Sequence, residues 1–251
     1  MTEATVGNLR NTTRDQPPEV SSLPPAWGFW ATLGWVMAGC VFSAIGTVAF
    51  YIVWTRLSPG SNASSIDPLL VFYPAMVSVL AVAVRIARWP VHRYLALARP
   101  RPRQVVLGLA CVALLGIADW IFTDVLGFGI EDYRRWVETY RNALNDGALP
   151  LFWLTTVIVG PMAEEIVFRG FLYRGWSHSI LGISGTIALT SILFALMHLQ
   201  YSWVGIFSCF CSGLLYGWVR HHSGTILIPM LLHFVENLSA TIFAAIEVHS
   251  S

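Results

Sequence analysis

The sequence predicts an all-α, multi-pass transmembrane helix bundle, and three observations carry that prediction. Of the 251 residues, 55% are hydrophobic and only 12% are charged, against roughly 25% charged in an ordinary soluble domain. The mean hydropathy is +0.62. The apolar residues are also gathered into long runs, and a helix needs about 20 of them to cross the hydrocarbon core, with a range of about 17 to 25. Helices suit that setting because they satisfy their own backbone polar groups where water cannot.

Residues 1–26 are expected to form a polar tail with Pro17, Pro18, Pro24 and Pro25, and they lack the apolar core of a cleavable signal peptide. The run from Trp27 to Trp54 is too long for such a core, so it stays as the first span, residues 28–54. Further spans are expected at 68–84, 104–122, 149–173, 181–199, 202–220 and 225–246. That makes seven, with six or eight as neighbouring counts because the connection at Gln200 and Tyr201 is short. Three regions follow: the tail 1–26, N-terminal spans with their loops over 27–148, and a C-terminal bundle over 149–246.

Between the second and third spans stand Arg85, Arg88, Arg93, Arg99, Arg101 and Arg103 without an acid, which marks that loop as cytoplasmic. Arg10, Arg14, Arg174 and Arg220 then fall on the same side, and an odd span count leaves the carboxyl terminus outside. Over 130–147 the residues Ile130, Tyr133, Val137, Tyr140 and Leu144 recur at helical spacing among Glu131, Asp132, Arg134, Arg135, Glu138 and Arg141. This pattern predicts an amphipathic helix on the membrane surface, or a solvated connector, ended by Gly147 and Pro150.

A net charge of +1 gives no footprint for nucleic-acid binding, and all 15 basic residues are Arg. Cys40, Cys111, Cys209 and Cys211 lie inside apolar runs and read as small core or lipid-facing residues.

The residues that do not belong in a lipid-facing span are Glu164, Glu165 and Arg169. Each charge at a bilayer centre costs at least roughly 2.5 to 3.5 kcal/mol. Glu165 and Arg169 are four apart, share a helix face and can pair. Glu164 points about 100 degrees away from Glu165, which leaves it able to take and return a proton. The structural alternative is an ion-pair knot of all three that only fixes packing. Gly160-Pro161, just upstream, interrupts the backbone bonding and predicts either an opening beside Glu164 or an ordinary kink.

The fifth run ends with Phe194 one helical turn before His198, and the seventh carries His233 and Asn237 four apart on one face. Glu236 lies between them on another face, free to pair with a neighbouring helix. If the spans run straight, Glu164 lies near mid-membrane whereas His198 falls close to the outer end of its span.

A neutral imidazole can hold a water molecule or donate to a developing oxyanion, and an Asn amide can do the latter without titrating. With a glutamate as base, these are the parts for water attack on an amide bond, with no serine or cysteine nucleophile. Two histidines and a glutamate also match a catalytic zinc ligand set. The chain lacks His-Glu-x-x-His, and the ligands would come from three separate helices, so no metal or other cofactor is expected. A proton-coupled transporter would show repeats or paired broken helices, which are not evident. A membrane immunity or scaffold protein would keep the motifs without the chemistry.

The motifs Glu-Glu-x-x-x-Arg at 164–169, Phe-x-x-x-His at 194–198 and His-x-x-x-Asn at 233–237, in this order on separate apolar runs, resemble those of a known family. It is the CAAX-protease and bacteriocin-processing family of intramembrane endopeptidases, which includes the CAAX prenyl endopeptidase. Phe168-Arg169-Gly170 also resembles the family's usual continuation, and the similarity covers about residues 149–246. The resemblance implies a glutamate-dependent protease in which Glu164, helped by His198, activates water while His233 and Asn237 form the oxyanion hole. Glu165, Arg169 and Phe194 would support them. It also implies a peptide or membrane-protein substrate, a lipid bilayer as surroundings, no nucleic acid, and the cytoplasmic membrane of a bacterium as location.

Overall fold

In the computed structural model, which describes residues 26–57 and 67–250, each of the seven expected spans is built around a helix. The polar tail expected for 1–26 lies outside the described residues but for Ala26. The helices are α1 (Phe29–Leu57), α2 (Leu69–Ile86), α3 (Pro102–Trp120), α4 (Ile130–Asn145), α5 (Leu149–Trp176), α6 (Gly182–Leu196), α7 (Trp203–Ser223) and α8 (Leu227–Ser250). No strand occurs among the described residues. Tryptophan, phenylalanine and leucine side chains such as Trp30, Phe42 and Leu114 stand exposed on the outside of the bundle, the surface a bilayer covers.

Five helices, α1, α2, α3, α5 and α8, are long and apolar enough to cross a membrane among the described residues. The remaining two differ from the expected spans. Helix α6 has 15 residues and therefore rises only ~22 Å, short of the ~30 Å hydrocarbon core. The apolar run 181–199 includes Met197, His198 and Leu199, but the chain turns after Leu196, and composition alone does not mark that turn. Helix α7 has 21 residues, with Arg220, His221 and His222 closing it.

Packing is organised around α5. One core cluster joins α1, α2, α5 and α6 through buried side chains including Leu80, Phe168, Phe171, Trp176 and Phe194. A second, with Val112, Tyr216, Ile228 and Leu232, joins α3, α7 and α8. Helices α6 and α7 approach closely because Gly213 has no side chain: a Cβ there would stand 3.0 Å from the Ser191 Cα.

The basic loop between α2 and α3 is woven into the bundle. Tyr94 is fully buried, with its ring centroid 5.5 Å from that of Phe171. The Ala96 carbonyl accepts from the Ile226 amide at 3.2 Å, and the Ala98 carbonyl accepts from Thr225 Oγ1 at 2.7 Å. The loop is thereby tied to the start of α8.

Helix α4 spends its apolar face on protein. Val137 and Tyr140 pack with Phe152 of α5 and Ala244 of α8. On its polar face, Asp132 accepts from the Ser202 amide at 2.8 Å and from Ser202 Oγ at 2.6 Å. Ser202 is the N-cap of α7 and accepts in turn from the Gly205 amide at 3.3 Å. Arg135 donates to the Gln200 carbonyl. These bonds pin the turn between α6 and α7, where His198 sits.

Candidate active site

Helix α5 is not a regular rod. Its central α-helical stretch Gly160–Glu165 is bracketed by π-helical turns over Leu154–Val159 and Ile166–Leu172. Pro161 has no N–H to give to the helix ladder, and the wider turn before it accommodates the missing bond. Such π turns inside α-helices are concentrated at functional sites. Gly160 is also needed as glycine: a Cβ would lie 3.0 Å from the Thr155 carbonyl oxygen and 3.6 Å from the Tyr73 ring.

The irregular stretch brings Gly160, Pro161 and Glu164 to the wall of a cavity of about 1310 Å³. Phe194, His198, His233 and Asn237 line the same cavity. Glu165 and Arg169 face away from it and are wholly buried. Four polar residues singled out in the sequence thus converge on one space, and the ion pair lies behind it.

Behind the wall, Arg169 Nη1 donates to Glu165 Oε1 at 2.9 Å, across the spacing of four. Arg169 Nη2 donates to the Gly213 carbonyl at 3.0 Å. The guanidinium also lies 4.7 Å from the Phe194 ring and 5.2 Å from the Tyr216 ring, placing it on aromatic faces that attract a cation. The second ligand of Glu165 Oε1 is His233 Nδ1 at 3.1 Å. A carboxylate can only accept, so Nδ1 carries the hydrogen and Nε2 is turned toward the cavity.

Glu164 has different surroundings. The Tyr73 hydroxyl of α2 donates to its Oε1. Its Oε2 is buried, has no hydrogen-bond partner among the described residues, and lies 3.9 Å from His233 Nε2. The His233 ring is held between Tyr216, stacked at 5.3 Å, and the edge of Phe194 at 5.6 Å.

His198 donates from Nδ1 to the Phe194 carbonyl at 2.9 Å and stacks on Tyr201 at 5.7 Å. Its Nε2 is therefore an acceptor in the neutral ring. Asn237 Nδ2 donates to the Thr156 carbonyl at 2.9 Å, one of the carbonyls in the π turn.

The sequence reading missed Tyr73 and left Glu236 open. Glu236 accepts from Ser212 Oγ at 3.1 Å and from the Tyr216 hydroxyl, both on α7, and it lines the cavity. The only sequence signal for Tyr73 is a hydroxyl in the middle of an apolar run. Among the described residues no group of three or more His, Cys, Asp or Glu side chains is arranged to hold a metal ion.

Residues 146–239 match the family described as type II CAAX prenyl endopeptidase Rce1-like. The matched stretch contains Glu164, Glu165, Arg169, His198, His233 and Asn237, and it leaves out Tyr73. The chain is also 23% identical over 180 residues to the membrane-embedded CAAX protease MroQ of Staphylococcus aureus (strain USA300), an alignment that covers 70% of this chain and 72% of that protein. No solved structure gives a significant match. Over residues 146–239 the chain is similar to the Rce1-like CAAX endopeptidases, and that likeness together with the apolar helices supports a multi-pass membrane peptidase.

Proposed function

We propose that the protein is an intramembrane endopeptidase that hydrolyses a peptide bond of a membrane-associated peptide or protein with water activated by Glu164. The observation that carries this reading is the unequal treatment of two adjacent carboxylates. Each carboxylate has one bare Oε2 among the described residues, but Glu165 is wholly buried behind the wall with Oε1 on Arg169 and His233, whereas Glu164 lines the cavity. A buried acceptor left bare is costly, and a water molecule that donates to it is poised to lose that proton.

In the reaction the water oxygen bonds to the scissile carbonyl carbon as one of its protons passes to Glu164 Oε2. His198 Nε2, an acceptor, holds the water's other hydrogen. The carbonyl oxygen becomes an oxyanion facing His233 Nε2 and Asn237. The Asn237 amide has two N–H bonds and gives one to Thr156, so the second serves the oxyanion. His233 serves as the imidazolium, with Glu165 holding Nδ1–H and stabilising the charge. Collapse breaks the C–N bond, and Glu164 returns its proton to the leaving amine.

Tyr73 orients the base. Tyr73→Phe is expected to lower kcat about tenfold to hundredfold with little change in KM, because a hydrogen bond to a charged group contributes about 1.5–3 kcal/mol. Steady-state rates on a quenched peptide in bilayer discs measure this, and an unchanged kcat would remove Tyr73 from the site. Activity is also expected to survive exhaustive chelation. A loss that added zinc restores would move the chemistry to a metalloprotease.

The direct test of function is a fragment comparison between membranes holding the wild type and Glu164→Gln. A substrate fragment that disappears in the variant is the expected result, and an identical fragment set sinks the proposal. The staphylococcal relative supports the cytoplasmic membrane of a bacterium as the location.

A further inference from the structure

The cavity is predominantly acidic, with His233, tied to Glu165, as the cation on its wall. Its lining contains five carboxyl groups, those of Asp67, Asp119, Asp132, Glu164 and Glu236, and no arginine; the chain has no lysine at all. Two arginines of the surrounding elements are engaged elsewhere. Arg169 is buried behind the wall with Glu165, and Arg135 donates to the Gln200 carbonyl without lining the cavity.

The carboxyl groups surround a common space. Glu236, Glu164, Asp119 and Asp132 line it together with Cys209 of the α7 wall. Asp132 and Glu236 have hydroxyl donors on α7. Glu164, only 8% exposed, keeps Oε2 without a partner among the described residues. Asp119 stands exposed on α3. Between them Trp120, Tyr133, Trp136 and Phe243 supply aromatic wall, which adds attraction for a cation wherever a ring face is offered.

We infer that this cavity selects a cationic peptide segment, one that places Arg or Lys side chains beside the scissile bond, and rejects a free terminal carboxylate. A cleft lined by one sign of charge between low-dielectric walls focuses its field on whatever enters. Arg or Lys supplies a counter-charge to these carboxyl groups. A chain ending such as a C-a-a-X tail instead brings a further negative charge to five carboxyl groups. This substrate class rests on the reading of Glu164 as the base.

Two quenched peptides of equal length and apolar content, one with Arg and one with Glu on both sides of the same cleavable bond, test the inference on the full chain. Zwitterionic bilayer discs keep lipid charge from adding a preference. The kcat/KM for the Arg peptide is expected to exceed that for the Glu peptide at least about tenfold, equivalent to ~1.4 kcal/mol. The ratio is expected to shrink toward 1 M salt, where the screening length falls to ~3 Å, and to shrink in Asp119→Asn. Equal rates, or faster cleavage of the Glu peptide, overturn the inference while leaving the protease reading intact.

Fluorescence anisotropy of the same peptides on Glu164→Gln protein separates the other failure. Tenfold tighter binding of the Arg peptide, with no cleavage of either peptide by wild type, overturns the protease reading and supports the charge selectivity. Equal or absent binding overturns the selectivity.

Discussion

Glu164→Gln is expected to leave the bundle folded and to cut peptide hydrolysis by about 10²- to 10⁴-fold, the range a positioned general base contributes. The substitution is chosen for what it keeps. A glutamine carbonyl still accepts from the Tyr73 hydroxyl, so the tie between α2 and α5 survives. What is lost is the bare oxygen 3.9 Å from His233 Nε2, the only acceptor of Glu164 that no protein group occupies among the described residues. Turnover by purified wild type and variant in bilayer discs measures the effect, and a thermal unfolding scan confirms that the fold is unchanged. A variant that cleaves at the wild-type rate would show that Glu164 is part of a packing device.

The largest effect on stability is expected from Arg169→Met. Removing one partner from a buried ion pair costs about 3–5 kcal/mol, because the other charge is left without compensation. Here the loss leaves Glu165 buried with His233 as its remaining donor, and it leaves the Gly213 carbonyl without its guanidinium bond. At about 2–4 °C per kcal/mol for a chain of this size, the unfolding midpoint in detergent falls by about 6–20 °C. Glu165→Gln combined with Arg169→Met is expected to recover part of that loss, since the orphaned charge is then absent. A single variant within about 1 kcal/mol of wild type would mean that water reaches Glu165 and that the pair carries little of the fold.

Much of the architecture could be read from apolar run length. The limit shows at α6 and α7: Met197, His198 and Leu199 are as compatible with helix as with turn, and the turn is held by Asp132 and Ser202, 70 residues apart in sequence. The pairing of Glu165 with Arg169 was legible because helical geometry alone aligns residues four apart. Convergence of Glu164, His198, His233 and Asn237 was legible only through the set of motifs, since no spacing rule connects two different helices and the turn that carries His198.

Tyr73 lay beyond reach for the same reason, because 91 residues separate it from Glu164. Glu236 illustrates a smaller gap. Its displacement from the face of His233 was evident, but Ser212 and Tyr216 become its partners only once α7 packs on α8.

The short helix α6 also acts on the lipid. A leg of 15 residues falls roughly 8 Å short of the hydrocarbon thickness, and a bilayer meets such a shortfall by thinning locally. Thinning of that kind would draw headgroups and water toward the turn that carries His198. A peptide bond in hydrocarbon is locked into its own helix because nothing else can satisfy its amide and carbonyl. Beside this turn that constraint is relaxed, so a helical substrate can unwind where its backbone finds water and polar side chains.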